Sequence, residues 1–208
     1  MKIGIIGSGG REHALCHFLY NSKKVDKIFC IPGNAGTSLL AKNLPVDPNN
    51  FEEIKKTIVD NKIDLIIIGP EKPLVDGIVD YLKKYNIKVF GPSKTASQLE
   101  GSKIFTKKLC KKYNIPTAKF GVFNDSRSAI NFLNSSVFPI VIKADGLASG
   151  KGVYISETKE EGFLAVNEIF GGKFGVAQQV LIEEFLDGEE MSYFIISDGK
   201  SYNKFQTA

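Results

Sequence analysis

Short apolar strands that end in glycine turns alternate with helical segments through the first ninety residues. Residues 2–7 (KIGIIG) have the pattern of a buried strand ending in glycine, and a helical segment follows at 10–21. A second strand at 25–31 completes a βαβ opening. The alternation continues with a helix at 51–60, a strand at 63–68, a helix at 74–84 and a strand at 87–90. This order predicts an α/β fold with a parallel sheet that helices cover on both faces.

The arrangement changes after a helical stretch at 94–112, where the segment NIPT at 114–117 breaks the periodicity. We therefore expect one domain over 1–100 and a second over 101–208. Strands and helices recur in the second domain with short connections. The pattern predicts strand 118–123, helix 126–134, strand 139–144, a glycine-rich loop, strand 152–156, helix 158–169 and strand 179–185.

Composition excludes several classes of function. The formal net charge is +4, but only two of the 27 basic residues are arginines, Arg11 and Arg127. Nucleic-acid readout relies on arginine clusters and stacking aromatics, so we expect no nucleic-acid partner and favour a small anionic ligand. Cys16, Cys30 and Cys110 are odd in number and widely spaced, which suits reduced thiols and matches no CxxC metal pattern. Without a long apolar stretch or a secretory leader, a cytoplasmic protein with no membrane partner is expected.

The string GSGGREHA places Gly7, Gly9 and Gly10 at the turn between the first strand and the first helix. Because these residues lack side chains, backbone amides there can approach an anionic group at the helix amino terminus. The dinucleotide fingerprint GxGxxG fails, since Glu12 stands at its third glycine position. The turn therefore favours a phosphate, with a tight turn that needs a positive φ as the alternative.

Two further turns follow the second and third strands. The segment PGNAG at 32–36 stands where an adenosine-ribose site needs an acid, and GPE follows at 69–71. Open α/β sheets bind ligands at the carboxyl ends of parallel strands, so the three turns together predict a site for a phosphorylated small molecule. His13 and His17 have the i, i+4 spacing of zinc ligands but no third ligand, so we expect helix-surface or ligand-contact roles.

The strongest signal is PIVIKADGLASGKG at 139–152, in which Lys143 ends an apolar strand and a glycine-rich loop follows. An apolar strand rarely carries a buried lysine without an anion. Lys143 is therefore predicted to reach nucleotide phosphates while the loop folds over them and excludes water. The P-loop pattern, GxxxxGK followed by serine or threonine, is absent.

The segment VLIEEFLDGEE puts a strand end at Glu183 and Glu184 and a turn before Glu190. Such a linker can hold adenine, with backbone groups of 184–186 pairing with the base edge and Glu190 accepting hydrogen bonds from ribose hydroxyls. The alternative is a hairpin turn with solvated acids.

These blocks occur together in one order and spacing, and in that arrangement the chain resembles the phosphoribosylamine-glycine ligases of the ATP-grasp superfamily. The match spans nearly all 208 residues, and other ATP-grasp enzymes share only its later blocks. The blocks are GSGGREHAL, PGNAGT, GPE, FGPS, QLEGSK with FTK, NIPTA, VIKADGLASGKGV and IEEFLDGEE.

The resemblance implies a Rossmann-like substrate domain over 1–100 and an incomplete ATP-grasp domain of α+β type over 101–208, with a nucleotide-binding subdomain at about 114–190. It also implies an activity: glycine is joined to 5-phosphoribosylamine through a glycyl phosphate, with ATP converted to ADP and phosphate, in de novo purine synthesis. The expected cofactors are ATP and magnesium, and the expected partners are small-molecule substrates of a monomer.

Site residues carried over by the resemblance fall into two sets, with Lys143 as the catalytic residue. ATP is expected at Lys103, Lys143, Gly146, Gly150, Lys151, Gly152, Glu183, Glu184, Phe185, Leu186 and Glu190. The sugar phosphate is expected at Gly9, Gly10, Asn34, Ala35, Gly36, Thr37, Gly69, Pro70 and Glu71. No metal ligand is expected within this chain, because the family's magnesium ligands lie in the second half of its longer chains.

The last residues predict a strand at 191–197, a turn at Asp198-Gly199 and a partner strand ending at Ala208. A hairpin with nothing packed after it leaves a face uncovered, so we expect part of a longer or truncated polypeptide that lacks ligase turnover by itself. Three alternatives stay open: another ATP-grasp carboxylate-amine ligase, a non-catalytic nucleotide-binding module and, disfavoured by Glu12, a nicotinamide-dependent oxidoreductase.

Overall fold

The computed structural model describes residues 1–147, 151–175 and 179–207, and it divides into two compact units. The first unit comprises Met1–Thr117 and Ala144–Gly152, and the second comprises Ala118–Lys143 and Val153–Ala208. These units differ in extent from the domains 1–100 and 101–208, which remain a prediction.

The first unit contains a five-stranded parallel sheet in the order β3-β2-β1-β4-β5, which confirms the predicted α/β class. A short 3-10 turn at Thr37–Leu39 precedes the edge strand β3. Neither of these two short elements was predicted. The elements are β1 (Lys2–Gly7), α1 (Gly10–Tyr20), β2 (Lys27–Pro32), β3 (Lys42–Asn43), α2 (Phe51–Asn61), β4 (Leu65–Ile68), α3 (Glu71–Asp76), α4 (Ile78–Lys83), β5 (Val89–Phe90), α5 (Gln98–Gly101) and α6 (Lys103–Tyr113).

Both faces of this sheet are buried around β1, β2 and β4, which explains why these three strands are apolar at nearly every position. Successive side chains of a strand point to opposite faces. In β2, Phe29 and Ile31 join one core with α2 and α4, whereas Ile28 and Cys30 join the other with Cys16 of α1. The continuous apolar runs of β1, β2 and β4 are therefore the signature of a doubly covered parallel sheet.

Two predicted helices are interrupted in the structure. The stretch 74–84 breaks at Gly77, whose φ of 102° ends α3 and starts α4. The stretch 94–112 breaks at Ser102, which adopts an extended conformation and caps α6 by accepting a hydrogen bond from the backbone N–H of Phe105 at 3.0 Å. Both breaks follow from local preferences, glycine for positive φ and serine for the N-cap.

The second unit contains a four-stranded sheet in the order β6-β9-β7-β8, with antiparallel pairs β6/β9 and β7/β8. The helices α7 and α8 pack closely, because a Cβ added to Gly162 of α8 would stand 3.2 Å from Cδ1 of Leu133 of α7. The elements are β6 (Phe120–Phe123), α7 (Ser126–Asn134), β7 (Ile140–Ala144), β8 (Val153–Ser156), α8 (Lys159–Phe170), β9 (Val180–Glu184), β10 (Ile195–Ser197) and β11 (Tyr202–Lys204).

The predicted terminal hairpin is present but shorter than expected. β10 pairs antiparallel with β11, and the strand predicted from residue 191 begins at Ile195. Asp198 shapes the turn, because its Oδ1 accepts the backbone N–H of Ser201 at 2.8 Å. Among the described residues, no helix combines the length and apolar character needed to cross a bilayer.

Candidate functional site

Three glycine turns lie at one edge of the first sheet, because β1, β2 and β4 are parallel and each ends at that edge. Gly7 (φ 127°) and Gly33 (φ 77°) occupy the left-handed region that favours glycine. The turns are joined by backbone hydrogen bonds: Gly33 N–H donates to the Gly7 carbonyl oxygen at 3.1 Å, and Gly69 N–H donates to that of Ile6 at 3.0 Å. The structure thus brings the predicted sugar-phosphate turns together.

Asn34 and Thr37 brace the second turn from inside. Nδ2 of Asn34 donates to the carbonyl oxygen of Ser8 at 2.8 Å, which ties the second turn to the first. The fully buried Thr37 hydroxyl accepts the Asn34 backbone N–H and donates to Oδ1 of Asn43, each at 2.8 Å. Thr37 therefore supports the loop, while Ala35 on the same loop is exposed.

Glu12 is the buried acid of this edge, with only 3% of its surface exposed. Its Oε2 accepts the backbone N–H of Gly9, the N-cap residue of α1, at 2.6 Å. A Cβ on Gly7 would stand 2.6 Å from the Glu12 Cδ, and a Cβ on Gly69 would stand 2.5 Å from it. The carboxyl group therefore fills the space between the turns after β1 and β4.

Arg11 connects the same two turns on the exposed side. Its Nη1 and Nη2 lie 3.0 and 2.9 Å from Oε1 of Glu71, and its Nε lies 3.4 Å from Oε1 of Glu12. The hydrogen bond to Glu71 raises the pKa of Arg11. The pKa of Glu71 is lowered, first by a hydrogen bond from its own backbone N–H and then by Arg11. Both groups are therefore charged at neutral pH.

The remaining predicted residues of this edge lie close by. Gly10 opens α1 and is exposed, and Pro70 is the N-cap residue of α3. The His13 imidazole packs against Gly36, where a Cβ would stand 2.6 Å from its Nδ1. His17 makes an edge contact with the Phe18 ring instead, at 5.9 Å between centroids. Within residues 1–147, 151–175 and 179–207, no three histidine, cysteine or acidic side chains cluster as metal ligands.

Lys143 in the second unit faces an acid across two neighbouring strands. Its Nζ lies 2.6 Å from Oε2 of Glu183, joining β7 to β9. The lysine side chain is 26% exposed, and that of the glutamate is 5% exposed. A lysine in an apolar strand is expected to have an anionic partner, and here Glu183 of the same chain supplies it. The lysine side chain keeps partial access to solvent.

The predicted adenine linker leaves β9 as an exposed segment. Glu184 is anchored at the strand end, where its Oε1 accepts the Lys119 backbone N–H at 2.8 Å. Phe185 and Leu186 are 38% and 64% exposed, and Glu190 is exposed as well. Two apolar side chains thus stand in solvent directly after a buried strand, which suits contact with a flat ligand.

The glycine-rich loop after β7 belongs to the first unit, where Lys103 contacts its start. Lys103 Nζ donates to the Gly146 carbonyl oxygen at 2.9 Å, and the φ of Gly146 is 93°. The Ala144 N–H donates to the Gly152 carbonyl oxygen at 2.8 Å and closes the base of the loop. Lys151 is exposed, and the predicted ligand residue Gly150 lies outside the described residues.

Asp145 fastens this loop to α6. Its Oδ2 accepts the Ser102 hydroxyl at 2.9 Å, and its Oδ1 accepts the Ile104 backbone N–H at 3.1 Å. Sequence reasoning missed Asp145, and it treated Glu12 only as a departure from a fingerprint. A helix-start signal was present for Glu12, since it stands three residues after the N-cap Gly9.

Comparison with known proteins matches both halves of the chain to domains of one protein family. The family model for the phosphoribosylglycinamide synthetase N domain matches residues 1–100, and that for the ATP-grasp (A) domain of phosphoribosylglycinamide synthetase matches residues 101–208. A phosphoribosylamine-glycine ligase of Mesorhizobium japonicum is 47% identical over 209 residues, covering 100% of this chain and 49% of the relative. That of Clostridium acetobutylicum is 47% identical, with 99% and 50% covered.

Solved structures show the same fold. The crystal structure of phosphoribosylamine-glycine ligase from Thermotoga maritima matches with a TM-score of 0.81 at 33% identity, over 100% of this chain and 49% of that one. The N5-carboxyaminoimidazole ribonucleotide synthetase of Thermotoga maritima shares the fold at 19% identity, with a TM-score of 0.71 over 99% and 52% of the two chains.

The class is that of the ATP-grasp proteins, as the family model matched over residues 101–208 shows. Within that class the chain belongs to the phosphoribosylglycinamide synthetase family. It spans about half the length of the curated relatives it matches.

Proposed function

We propose that this chain provides the sugar-phosphate and nucleotide sites of a cytoplasmic, ATP-dependent ligase of de novo purine synthesis. The reaction joins glycine to 5-phosphoribosylamine and yields glycinamide ribonucleotide, ADP and phosphate. The proposal rests on the family to which both halves of the chain belong and on the three turns that meet at one edge of the first sheet.

The meeting of these turns is the observation that carries the proposal. An ATP-grasp ligase for another substrate would share the Lys143 strand and the linker at 183–190, but it would not need the turns at 32–37 and 69–71. In this chain both are bonded into the edge, through Asn34 to the carbonyl of Ser8 and through Gly69 to the carbonyl of Ile6. An edge built this way suits a compact sugar phosphate at the carboxyl ends of parallel strands.

The residues of this edge have complementary chemistry for such a ligand. Gly10 lies at the amino terminus of the 11-residue helix α1, where backbone amides favour a phosphate. The half-exposed Glu71 carboxylate can accept hydrogen bonds from ribose hydroxyls while Arg11 balances its charge. Ala35, Gly36 and Pro70 add backbone surface without bulky side chains.

For the nucleotide, Lys143 is the central group. Its ammonium can neutralise phosphate charge, and the neighbouring Glu183 keeps it positioned between β7 and β9. In the linker, the backbone of Glu184 to Leu186 would pair with adenine, with Glu190 at the ribose hydroxyls. In the first unit, Lys103 and the loop residues Gly146, Gly150, Lys151 and Gly152 are the proposed phosphate contacts.

The proposed reaction needs no nucleophile from the protein. A glycine carboxylate oxygen attacks the γ-phosphorus, the bond to ADP breaks, and glycyl phosphate forms. The amine nitrogen of phosphoribosylamine then attacks the acyl carbon, phosphate leaves, and the nitrogen loses a proton. Positioning and charge neutralisation by Lys143 are the contributions of this chain. The family also implies magnesium, but the described residues contain no set of ligands for it, so we assign it no step.

The nucleotide assignment is tested by calorimetric titration of ATP into the chain and into two lysine variants. Lys143→Ala should weaken ATP binding at least about tenfold, because charge-assisted hydrogen bonds to phosphate are lost. Lys84→Ala, at the exposed C-cap of α4, should bind like the parent chain. Equal affinities of the two variants would refute the role of Lys143.

A further inference from the structure

Glu12 is a carboxylate buried at the carboxyl edge of the parallel sheet, where folds of this kind bind anionic ligands. Three observations define its place: it is 3% exposed, its Oε2 holds the Gly9 N–H at 2.6 Å, and it contacts the glycines on either side. A buried acid costs free energy unless hydrogen bonds compensate it, so its position needs a structural reason.

The hydrogen bond to Gly9 changes what the first turn can bind. In a dinucleotide-binding turn, the amides of the glycine segment face the pyrophosphate, and a third glycine lets the helix approach. In this chain the Gly9 amide is already satisfied, and the third glycine position carries the carboxylate itself. The first turn therefore cannot offer the Gly9 N–H to a ligand.

The contacts with the glycines set the spacing of the turns. The Glu12 carboxyl group lies against Gly7 after β1 and against Gly69 after β4, two neighbouring strands of the sheet. Gly7 is bonded in turn to Gly33 after β2. Arg11 beside it reaches Glu71 in the turn after β4. One side chain thus packs against the turns after β1 and β4, and the backbone bond from Gly33 to Gly7 links the turn after β2 to them.

We propose that Glu12 is the positioning residue of the sugar-phosphate edge. It withdraws the Gly9 amide from ligand binding and holds the turns after β1 and β4 at the separation that one phosphorylated sugar requires. Glu12 does not touch the ligand, since it is buried behind the turns. The inference rests on the proposed function, because it concerns the same edge.

The test is calorimetric titration of ribose 5-phosphate into the chain and its variants, with melting temperatures measured in parallel. Ribose 5-phosphate is a stable relative of phosphoribosylamine that keeps its phosphate and hydroxyls. Glu12→Ala should weaken binding at least about tenfold, because the turn loses a charge-assisted hydrogen bond and its spacer. Glu12→Gln keeps one acceptor oxygen in the same shape and should recover most of the affinity.

Glu53 offers a matched control. It occupies the same third position in α2, where its backbone N–H bonds the Asn50 cap and its side chain is exposed. Glu53→Ala should lower helix stability slightly and leave ribose 5-phosphate affinity unchanged. The two variants are compared at equal melting temperature. If Glu12→Ala then binds ribose 5-phosphate more weakly than Glu53→Ala does, the loss of affinity comes from positioning and not from a general loss of stability.

Gly69→Ala tests the same spacing with Glu12 in place, which covers the case in which Glu12→Ala folds poorly, and a double-mutant cycle then links the two substitutions. Gly69→Ala places a methyl group against the Glu12 carboxyl, so it should reduce affinity on its own. In the Glu12→Gln background the added methyl group meets the same obstruction. In the Glu12→Ala background the space is open, so Gly69→Ala should reduce the affinity for ribose 5-phosphate less. Additive losses, or full affinity in Glu12→Ala, overturn the role of Glu12. Absence of ribose 5-phosphate binding by the parent chain overturns the proposed function instead.

Discussion

Each of the two units buries a glutamate at a candidate site, and the two glutamates have different kinds of partner. Glu12 in the first unit is 3% exposed and bonds a backbone amide, that of Gly9. Glu183 in the second unit is 4% exposed and faces the ammonium group of Lys143. One acid therefore shapes the backbone, whereas the other holds a cation.

The two proposed anion sites are therefore prepared in different ways. At the first edge, the bonds among Gly7, Gly33, Asn34 and Thr37 hold the turns in place before a ligand arrives. In the second unit, the ion pair keeps Lys143 ready, and a phosphate can share or take over its ammonium group. The proposed sugar-phosphate site therefore depends on geometry, and the proposed nucleotide site depends on charge.

The largest expected effect is on the stability of the second unit. Lys143→Met removes the ammonium group from a buried carboxylate and should lower the unfolding free energy by about 2–3 kcal/mol. This is below the roughly 3–5 kcal/mol for breaking a fully buried pair, because the lysine side chain is 26% exposed. Urea unfolding of the variant and the parent chain measures the difference.

The double variant Lys143→Met with Glu183→Leu provides the control. Replacing both charged partners with apolar groups removes the buried carboxylate together with its lysine, so much of the lost stability should return. A double variant as unstable as the sum of the single variants would show that charge pairing does not link these strands.

A smaller effect is expected from the exposed pair at the first edge. The pKa of Glu71 lies below its ordinary value of 4.5, so its contribution to stability is present above that pH and is lost as the pH falls through the lowered pKa. Because Glu71 is 44% exposed, this contribution should be below about 1 kcal/mol. Glu71→Gln should flatten the pH dependence of the unfolding free energy below about pH 4.5, and an unchanged slope would contradict the assignment.

Much of the fold was predictable because its signals are local. The runs KIGIIG and IDLIII, each followed by a glycine turn, specify buried parallel strands, and β1 and β4 lie within one or two residues of the predicted bounds. The breaks at Gly77 and Ser102 were missed, since helical periodicity continues across them and only the cap chemistry marks them.

The side-chain pairs of the candidate sites were harder to predict because their partners are distant in sequence. Lys143 and Glu183 were both selected, but their pairing depends on β7 lying beside β9. Asp145 contacts Ser102, 43 positions away, and no local pattern indicates that hydrogen bond. Periodicity predicts which strands form, whereas packing decides which side chains meet.

The most direct test of two separate anion sites is calorimetric titration of ribose 5-phosphate and of ATP into two variants. Asn34→Ala breaks the bond between the first and second turns, so it should weaken ribose 5-phosphate binding severalfold and leave ATP binding unchanged. Lys143→Ala should do the reverse. Loss of both ligands in either variant, in chains that remain folded, would contradict the division into a site built on geometry and a site built on charge.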